Sequence, residues 1–250
     1  MRHIRAIGFD LFNTLVMAEP DTLDRAFSRM QESLEQHGFY PEQGAYKKAY
    51  YDAVITFIQQ TREDGRETHN RFWISAALEK LGYEVSPDDP RIAATVEDYF
   101  STFYDSCYCV PGARSMLERL KDEFQLGLLS NFTHWPAALE IIDRLELAPF
   151  FEFRLISGQL GYRKPHKKVF EALTGGFDTS CDEIIYVGDD VDADVNGALG
   201  AGIQPVWFTY VLENKPPIPA HMAPSETGEP HESVPRVSSW NEFLSFLKIS

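Results

Sequence analysis

Short apolar runs rich in β-branched and aromatic residues recur at positions 4–9, 126–129, 153–156, 184–187 and 205–208, each bounded by polar or turn-forming residues. Runs of that length and composition predict buried strands. Between the later ones the apolar positions switch to helical spacing, at 113–121, 137–145 and 168–173. Strand alternating with helix predicts an α/β fold built on a doubly wound parallel sheet.

Between 17 and 106 the rhythm breaks. Apolar residues there follow helical spacing only: Leu23, Phe27, Met30 and Leu34; then Tyr46, Tyr50, Val54 and Phe57; then Ile92, Val96, Tyr99 and Phe103. Gly38, Gly65, Gly82 and the stretch from Pro87 to Pro90 separate them. The pattern predicts an all-helical insertion of about four helices. Strands flank it on both sides, so it leaves the core after the first strand and returns before the second. The expected division is a core of 1–16 and 107–250, with 17–106 as a lid over the strand ends. Its aromatic stripes read as bundle packing.

From Glu213 to Pro235, six prolines (Pro216, Pro217, Pro219, Pro224, Pro230 and Pro235) stand among polar residues. Proline removes backbone donors and fixes φ, so an irregular surface loop is expected. After it, 236–238 could form an edge strand and 240–247 a closing amphipathic helix.

Composition narrows the classes. At 250 residues and 44% hydrophobic content the chain can bury a proper core. A net charge of −15 opposes a nucleic-acid partner, which needs Lys and Arg to neutralise phosphates. Met1-Arg2-His3-Ile4-Arg5 leads straight into a strand without a signal-peptide pattern. No run reaches the roughly 20 apolar residues of a membrane helix, so a soluble, cytoplasmic protein without a membrane partner is expected. Cys107, Cys109 and Cys181 have neither zinc-ribbon nor redox-pair spacing and read as reduced thiols.

The candidate chemistry sits where the apolar runs end. Asp10 closes the first and is followed at once by Leu11-Phe12-Asn13-Thr14. This places a carboxylate at the carboxyl end of a strand, where open α/β sheets bind ligands. Later runs lead to Ser130-Asn131, to Arg163-Lys164-Pro165, and to Gly188-Asp189-Asp190 with Asp194. A nucleophilic acid, a hydroxyl and amide pair, a lysine and an acidic cluster are the parts of a metal-assisted phosphoryl-transfer site. For Asp190 and Asp194 helix capping is an equally physical reading.

In order and placement these four segments, with a helical lid between the first and second, resemble the haloacid dehalogenase-like (HAD) hydrolase superfamily with a C1-type cap. The resemblance spans most of the chain, though lid and proline-rich loop match in placement only. It implies a Rossmann-like core with Asp10 as the nucleophile that accepts a phosphoryl group as an aspartyl phosphate. Thr14 would fix the turn around it, and Ser130 with the Asn131 amide would bind phosphoryl oxygens. Lys164 would neutralise charge between nucleophile and phosphate. Mg²⁺ would be held by Asp10, the backbone carbonyl of Phe12 and Asp189, hard oxygens for a hard cation. Asp190 would reach the metal directly or through water, and Asp194 would orient Lys164. Arg163 reads as structural.

One position departs from the phosphatase pattern. Two residues after the nucleophile the family's phosphatases usually carry an aspartate, acting as general acid and base, where this chain has Phe12. Haloacid dehalogenases carry an aromatic there, and Asp-Leu-Phe-Asn-Thr is similar to their first motif. Three carboxylates beside Asp10 would repel one another and an anionic substrate without a cation, which favours Mg²⁺ and phosphoryl chemistry. The expectation is a Mg²⁺-dependent phosphatase of a small phosphorylated metabolite with a good or self-protonating leaving group. The alternatives are a metal-independent L-2-haloacid dehalogenase working through an aspartyl ester, or a weakly active or non-catalytic phosphate-binding relative. Within the lid, His69 could supply the missing proton and Arg71 could bind a substrate anion.

Overall fold

The computed structural model describes residues 4–219, 222 and 228–249, with 62 and 63 described in the backbone only. Met1, Arg2 and His3 of the amino-terminal lead and Pro224 of the proline-rich loop lie outside the described residues. After β1 (Ala6–Phe9) and β2 (Val16–Ala18) come four long helices, α1 (Thr22–Gln36), α2 (Gln43–Asp64), α3 (Asn70–Lys80) and α4 (Pro90–Ser101), then the single turn α5 (Phe103–Ser106) and β3 (Cys107–Cys109). The remainder alternates: α6 (Ala113–Leu120), β4 (Gln125–Ser130), α7 (Trp135–Arg144), β5 (Phe153–Ile156), α8 (Ser157–Leu160), α9 (Lys167–Gly176), β6 (Ile184–Gly188), α10 (Gly197–Gly200) and β7 (Gln204–Phe208). It closes with α11 (Tyr210–Asn214), β8 (Arg236–Val237) and α12 (Trp240–Leu247).

The six parallel strands run β5-β4-β1-β6-β7-β8. The chain fills one side of β1 with β4 and β5 and then the other with β6 to β8, so the carboxyl end of β1 is the topological switch point. Alternation along β1 sets its two faces. Ile7 and Phe9 face the layer that holds α12, Phe9 meeting Phe151, Trp240 and Phe243 edge-on. Ala6 faces the other layer with Val169, Phe170 and Leu173 of α9.

Local chemistry starts and stops the inserted helices. The Glu42 carboxylate accepts from the backbone N–H groups of Gly44 and Ala45 at the start of α2, and Asp89 caps α4 with Pro90 in its first turn. Gly65, at φ 67°, ends α2 in the left-handed conformation.

Two features depart from the sequence reading. Both ends of the insertion pass through an antiparallel ribbon, β2 against β3, with Val16 opposite Cys109 and Ala18 opposite Cys107. Strands of three residues are too short to show a period, and the boundaries drawn at 17 and 107 fall inside this ribbon. The proline-rich segment is also more than a surface loop. It begins helically in α11, Pro219 is buried, and Ile218 and Met222 pack against the core. Proline bars regular structure but not docking by the apolar residues between. Among the described residues no helix is long and apolar enough to cross a membrane.

Candidate active site

Three strands, β1, β4 and β6, deliver polar groups to one edge of the sheet. The Asp10 N–H donates to the Val187 carbonyl at 2.9 Å, extending the pairing of β1 with β6 by one residue. Beyond it the chain turns through Asn13, at φ 59°, so that Thr14 Oγ1 donates back to Asp10 Oδ2 at 3.3 Å. Ser130 closes β4 beside it and is buried. Asp189 follows β6, its main-chain carbonyl accepting from Trp207 Nε1 at 2.9 Å.

Lys164 enters from the loop between α8 and α9. Its Nζ lies 2.5 Å from Asp10 Oδ1 and 2.6 Å from Asp194 Oδ1, and donates to the Tyr186 hydroxyl at 3.0 Å. That hydroxyl in turn donates to the Leu129 carbonyl at 2.8 Å. Two glycines make room for the network. A Cβ on Gly8 would lie 2.8 Å from the Tyr186 ring, and one on Gly188 would lie 2.3 Å from the Asp194 carboxyl. Burial acts to lower the Lys164 ammonium, but the carboxylates of Asp10 and Asp194 outweigh it and hold the group charged well above the ordinary lysine range.

The acids carry the opposite strain. Oxygens of Asp10, Asp189 and Asp194 lie within 4.8 Å of one another, the one such cluster of potential metal ligands among the described residues. None of the three is more than 7% exposed. Burial, reinforced by the charges of Asp10, Asp194 and Asp190, pushes Asp189 well above the usual carboxylate range, while Asn13 Nδ2 opposes it by donating to Oδ2 at 3.2 Å. Burial pushes Asp194 up to about 7 against the pull of Lys164. Ionised together, three carboxylates against one ammonium would leave two negative charges in a dry site, and the raised Asp189 and Asp194 are the expression of that cost. All the ligand atoms are hard oxygens, a donor set that fits Mg²⁺.

Other expected residues fall at the edge of this cluster. The Asn131 side chain is committed to the backbone around Lys164, with Nδ2 donating to the Lys164 carbonyl at 3.1 Å and Oδ1 accepting from its N–H at 2.8 Å. A phosphoryl contact from Asn131 would therefore come from its main chain. Asp190 Oδ1 accepts from the N–H groups of Asp192 and Ala193, capping a π-helical turn over Val191–Asn196. Asp194 Oδ2 accepts from the Asp190 N–H at 3.0 Å, so both of its oxygens have partners. Arg163 Nη1 stands 3.6 Å from the buried Glu67 carboxylate.

Phe12 stacks on Phe132 at 5.2 Å and 10°, and Phe132 meets Phe100 of α4 at 5.2 Å. Aromatic surface, not a carboxyl group, faces the inserted helices at the position of the missing acid. His69 is engaged elsewhere. Its Nδ1 accepts from the Arg71 N–H, and its Nε2 lies 3.2 Å from His134 Nδ1. His134 Nε2 lies 3.0 Å from Glu97. Both nitrogens of His69 are engaged, and burial, with the neighbouring His134 and Arg71, lowers its ring to about 4. Arg71 pairs with Asp88 of the insertion at 2.8 Å.

Four participants escaped the sequence reading. Tyr186 and Trp207 sit inside apolar strands, where an aromatic with a polar tip signals a buried partner. Asn13 was visible as a polar residue in the nucleophile turn. Glu67, which accepts from Ser157 Oγ across the two layers, carries no signal that separates it from a solvated lid glutamate.

Comparison with known proteins agrees with this arrangement. The chain is 34% identical over 217 residues to a glyceraldehyde 3-phosphate phosphatase of Pyrococcus furiosus, covering 84% of this chain and 82% of that one. Its fold is similar to that of a 2-haloacid dehalogenase from Pseudomonas syringae (TM-score 0.73, 20% identity, 98% of each chain). It is also similar to the HAD-hydrolase YfnB of Bacillus subtilis bound to magnesium (TM-score 0.64, 20% identity, 99% of this chain and all of that one). The family described as haloacid dehalogenase-like hydrolase matches residues 4–202. That match runs from β1 through the inserted helices to the far side of β6, taking in Asp10, Ser130, Lys164 and Asp189 alike, and the chain belongs to the haloacid dehalogenase-like hydrolases.

Proposed function

We propose that the protein is a Mg²⁺-dependent phosphatase that hydrolyses a small phosphorylated metabolite through an aspartyl phosphate on Asp10. The convergence of three buried carboxylates, Asp10, Asp189 and Asp194, on the single ammonium of Lys164 carries this reading, because a divalent cation would let all three ionise together. The phosphatase name of the Pyrococcus relative supports it. Asp10, Asp189 and the Phe12 carbonyl would hold the ion, which when bound supplies electrostatic stabilisation of the phosphoryl oxygens. The helical insertion would act as the cap.

In the first half-reaction an Asp10 oxygen forms a bond to phosphorus as the bond to the leaving oxygen breaks. Thr14 and Lys164 hold that carboxylate, and the Lys164 ammonium offsets the repulsion between it and the incoming phosphate. In the second, water attacks phosphorus, the Asp10–phosphorus bond breaks and inorganic phosphate leaves. No carboxyl at position 12 protonates the departing oxygen, so substrates with good or self-protonating leaving groups, such as sugar 1-phosphates and acyl or aryl phosphates, are favoured. Asp10→Asn should abolish hydrolysis of p-nitrophenyl phosphate while circular dichroism and Tm remain those of a folded protein. Turnover near wild type would remove Asp10 from the role of nucleophile.

The stacked Phe12 ring favours one second reading, an L-2-haloacid dehalogenase. Chloride release from 2-chloropropionate that persists in EDTA would establish it. A phosphate-binding relative without turnover would bind Mg²⁺ yet leave p-nitrophenyl phosphate intact over long incubation.

A further inference from the structure

We propose that Asn13 is a positioning residue for the cation: its side-chain amide orients Asp189 and ties that carboxylate to the carboxyl-terminal segment at Met222. The proposal rests on the reading of the acidic cluster as a Mg²⁺ site. Asn13 Nδ2 donates to Asp189 Oδ2 at 3.2 Å and to the Met222 carbonyl at 2.7 Å. An amide nitrogen carries two hydrogens, and here each has an oxygen acceptor. Rotating the amide by half a turn would set its carbonyl oxygen against both acceptors, so the network fixes which end faces Asp189.

The identity of the residue follows from three demands. The backbone at position 13 has φ 59°, where glycine and asparagine sit readily and most side chains do not. Glycine would satisfy the turn but offer no donor. Aspartate would fit the same space but bring another carboxylate against Asp189, within a cluster that already holds Asp10 and Asp194. Asparagine meets the conformation, the donor and the charge requirement together. Asn13 is 7% exposed, so the bond to Asp189 is sheltered from competing water.

Met222 adds the second half of the inference. Its N–H donates to the Pro219 carbonyl at 2.9 Å, while its own carbonyl accepts from Asn13. The segment after α11 thus reaches the nucleophile turn through one amide, and Asp189 is braced from two sides, by Asn13 at its carboxylate and by Trp207 at its main chain. Hydrogen-bonded partners of metal ligands fix ligand orientation, and removing one costs about 10–100-fold in metal affinity.

Isothermal titration of Mg²⁺ into the wild-type chain and Asn13→Gly tests this directly, with Tm in EDTA as the measure of fold. Glycine adopts φ 59° without strain, so the variant is expected to fold. Its Mg²⁺ affinity should fall about 10–100-fold, and in turnover the half-saturating Mg²⁺ concentration should rise more than kcat falls. Equal Mg²⁺ affinity in the two proteins overturns the role of Asn13 while leaving the phosphatase reading in place. A wild-type chain that binds no Mg²⁺ overturns the metal-dependent reading itself.

Discussion

The strand ends and the seam between sheet and inserted helices solve opposite problems. At the strand ends, Asp10, Lys164, Asp189 and Asp194 are buried charges that must be compensated. At the seam, Phe12, Phe132, Phe100 and the His69–His134 pair are uncharged groups brought together by stacking and one ring-to-ring contact. Charge in a dry site is worth much and tolerates little change, whereas aromatic contact is adjustable. On the proposed reading the first region sets what reaction is possible. The second would then set which leaving group it accepts.

Removing the central cation is the severest way to break this contrast. Lys164→Met leaves Asp10 and Asp194 facing each other without their shared partner, and loss of one member of a buried ion pair costs about 3–5 kcal/mol. Tm in EDTA should drop accordingly, and turnover should fall on the order of 10²-fold or more, the scale of losing a preorganised electrostatic donor. A variant as stable as wild type in EDTA would mean that the carboxylates are not charged together.

At the seam the largest effect should come from restoring an acid. Phe12→Asp supplies a carboxyl where phosphatases of this family usually carry one, and general-acid catalysis is typically worth about 10²–10⁴-fold. Loss of the Phe132 stack will absorb part of that gain, so alkyl phosphates should be turned over about tenfold faster relative to p-nitrophenyl phosphate. In the wild type the rate should fall steeply as leaving-group pKa rises. A flat dependence, or an unchanged substrate ratio in the variant, would place a general acid elsewhere.

The same contrast explains what could be read from the chain. Asp10, Ser130 and Asp189 end or follow apolar runs, so strand periodicity brings them to one edge of the sheet, and Lys164 joins them from the loop between α8 and α9. Helical spacing likewise revealed the insertion through Phe27, Met30 and Leu34, and through Ile92, Val96 and Tyr99. Contacts across the seam have no local signature. Glu67 and Ser157 are 90 positions apart, and His69 and His134 are 65 apart. The β2–β3 ribbon was too short to register, and the docking of Met222 onto Asn13 spans 209 positions. Sequence pattern fixes which face a residue occupies; which distant residue it meets is decided by packing.

The histidine pair makes the seam sensitive to acid in a direction that can be worked out. His69 is lowered to about 4 by burial, then by His134 and Arg71, and burial also lowers His134, against the pull of Glu97. A histidine whose folded value lies below its ordinary 6.5 binds its proton more readily once the contact opens. The stabilisation is therefore fully present above about pH 6.5 and is lost progressively as pH falls toward 4. In His69→Gln the side chain keeps a donor and an acceptor but cannot titrate. Tm measured from pH 7.5 to 4.5 should accordingly decline more steeply in wild type than in this variant, and parallel curves would remove the pair from control of the seam.

Arg71 offers the smallest effect and the finest discrimination. In sequence it was a candidate for binding a substrate anion, yet its guanidinium pairs with Asp88 at 2.8 Å and lies 4.7 Å over the Phe72 ring. The Arg71 side chain is 43% exposed and that of Asp88 74%, and such surface pairs contribute about 0–1 kcal/mol. If Arg71 serves only the insertion, Arg71→Ala should shift Tm by no more than a few degrees and change KM for any phosphate ester less than about threefold, a change equivalent to about 0.6 kcal/mol. A rise in KM of tenfold or more with an unaltered Tm would show the guanidinium leaving Asp88 to meet substrate, and would move part of substrate recognition from the strand ends to the helical side.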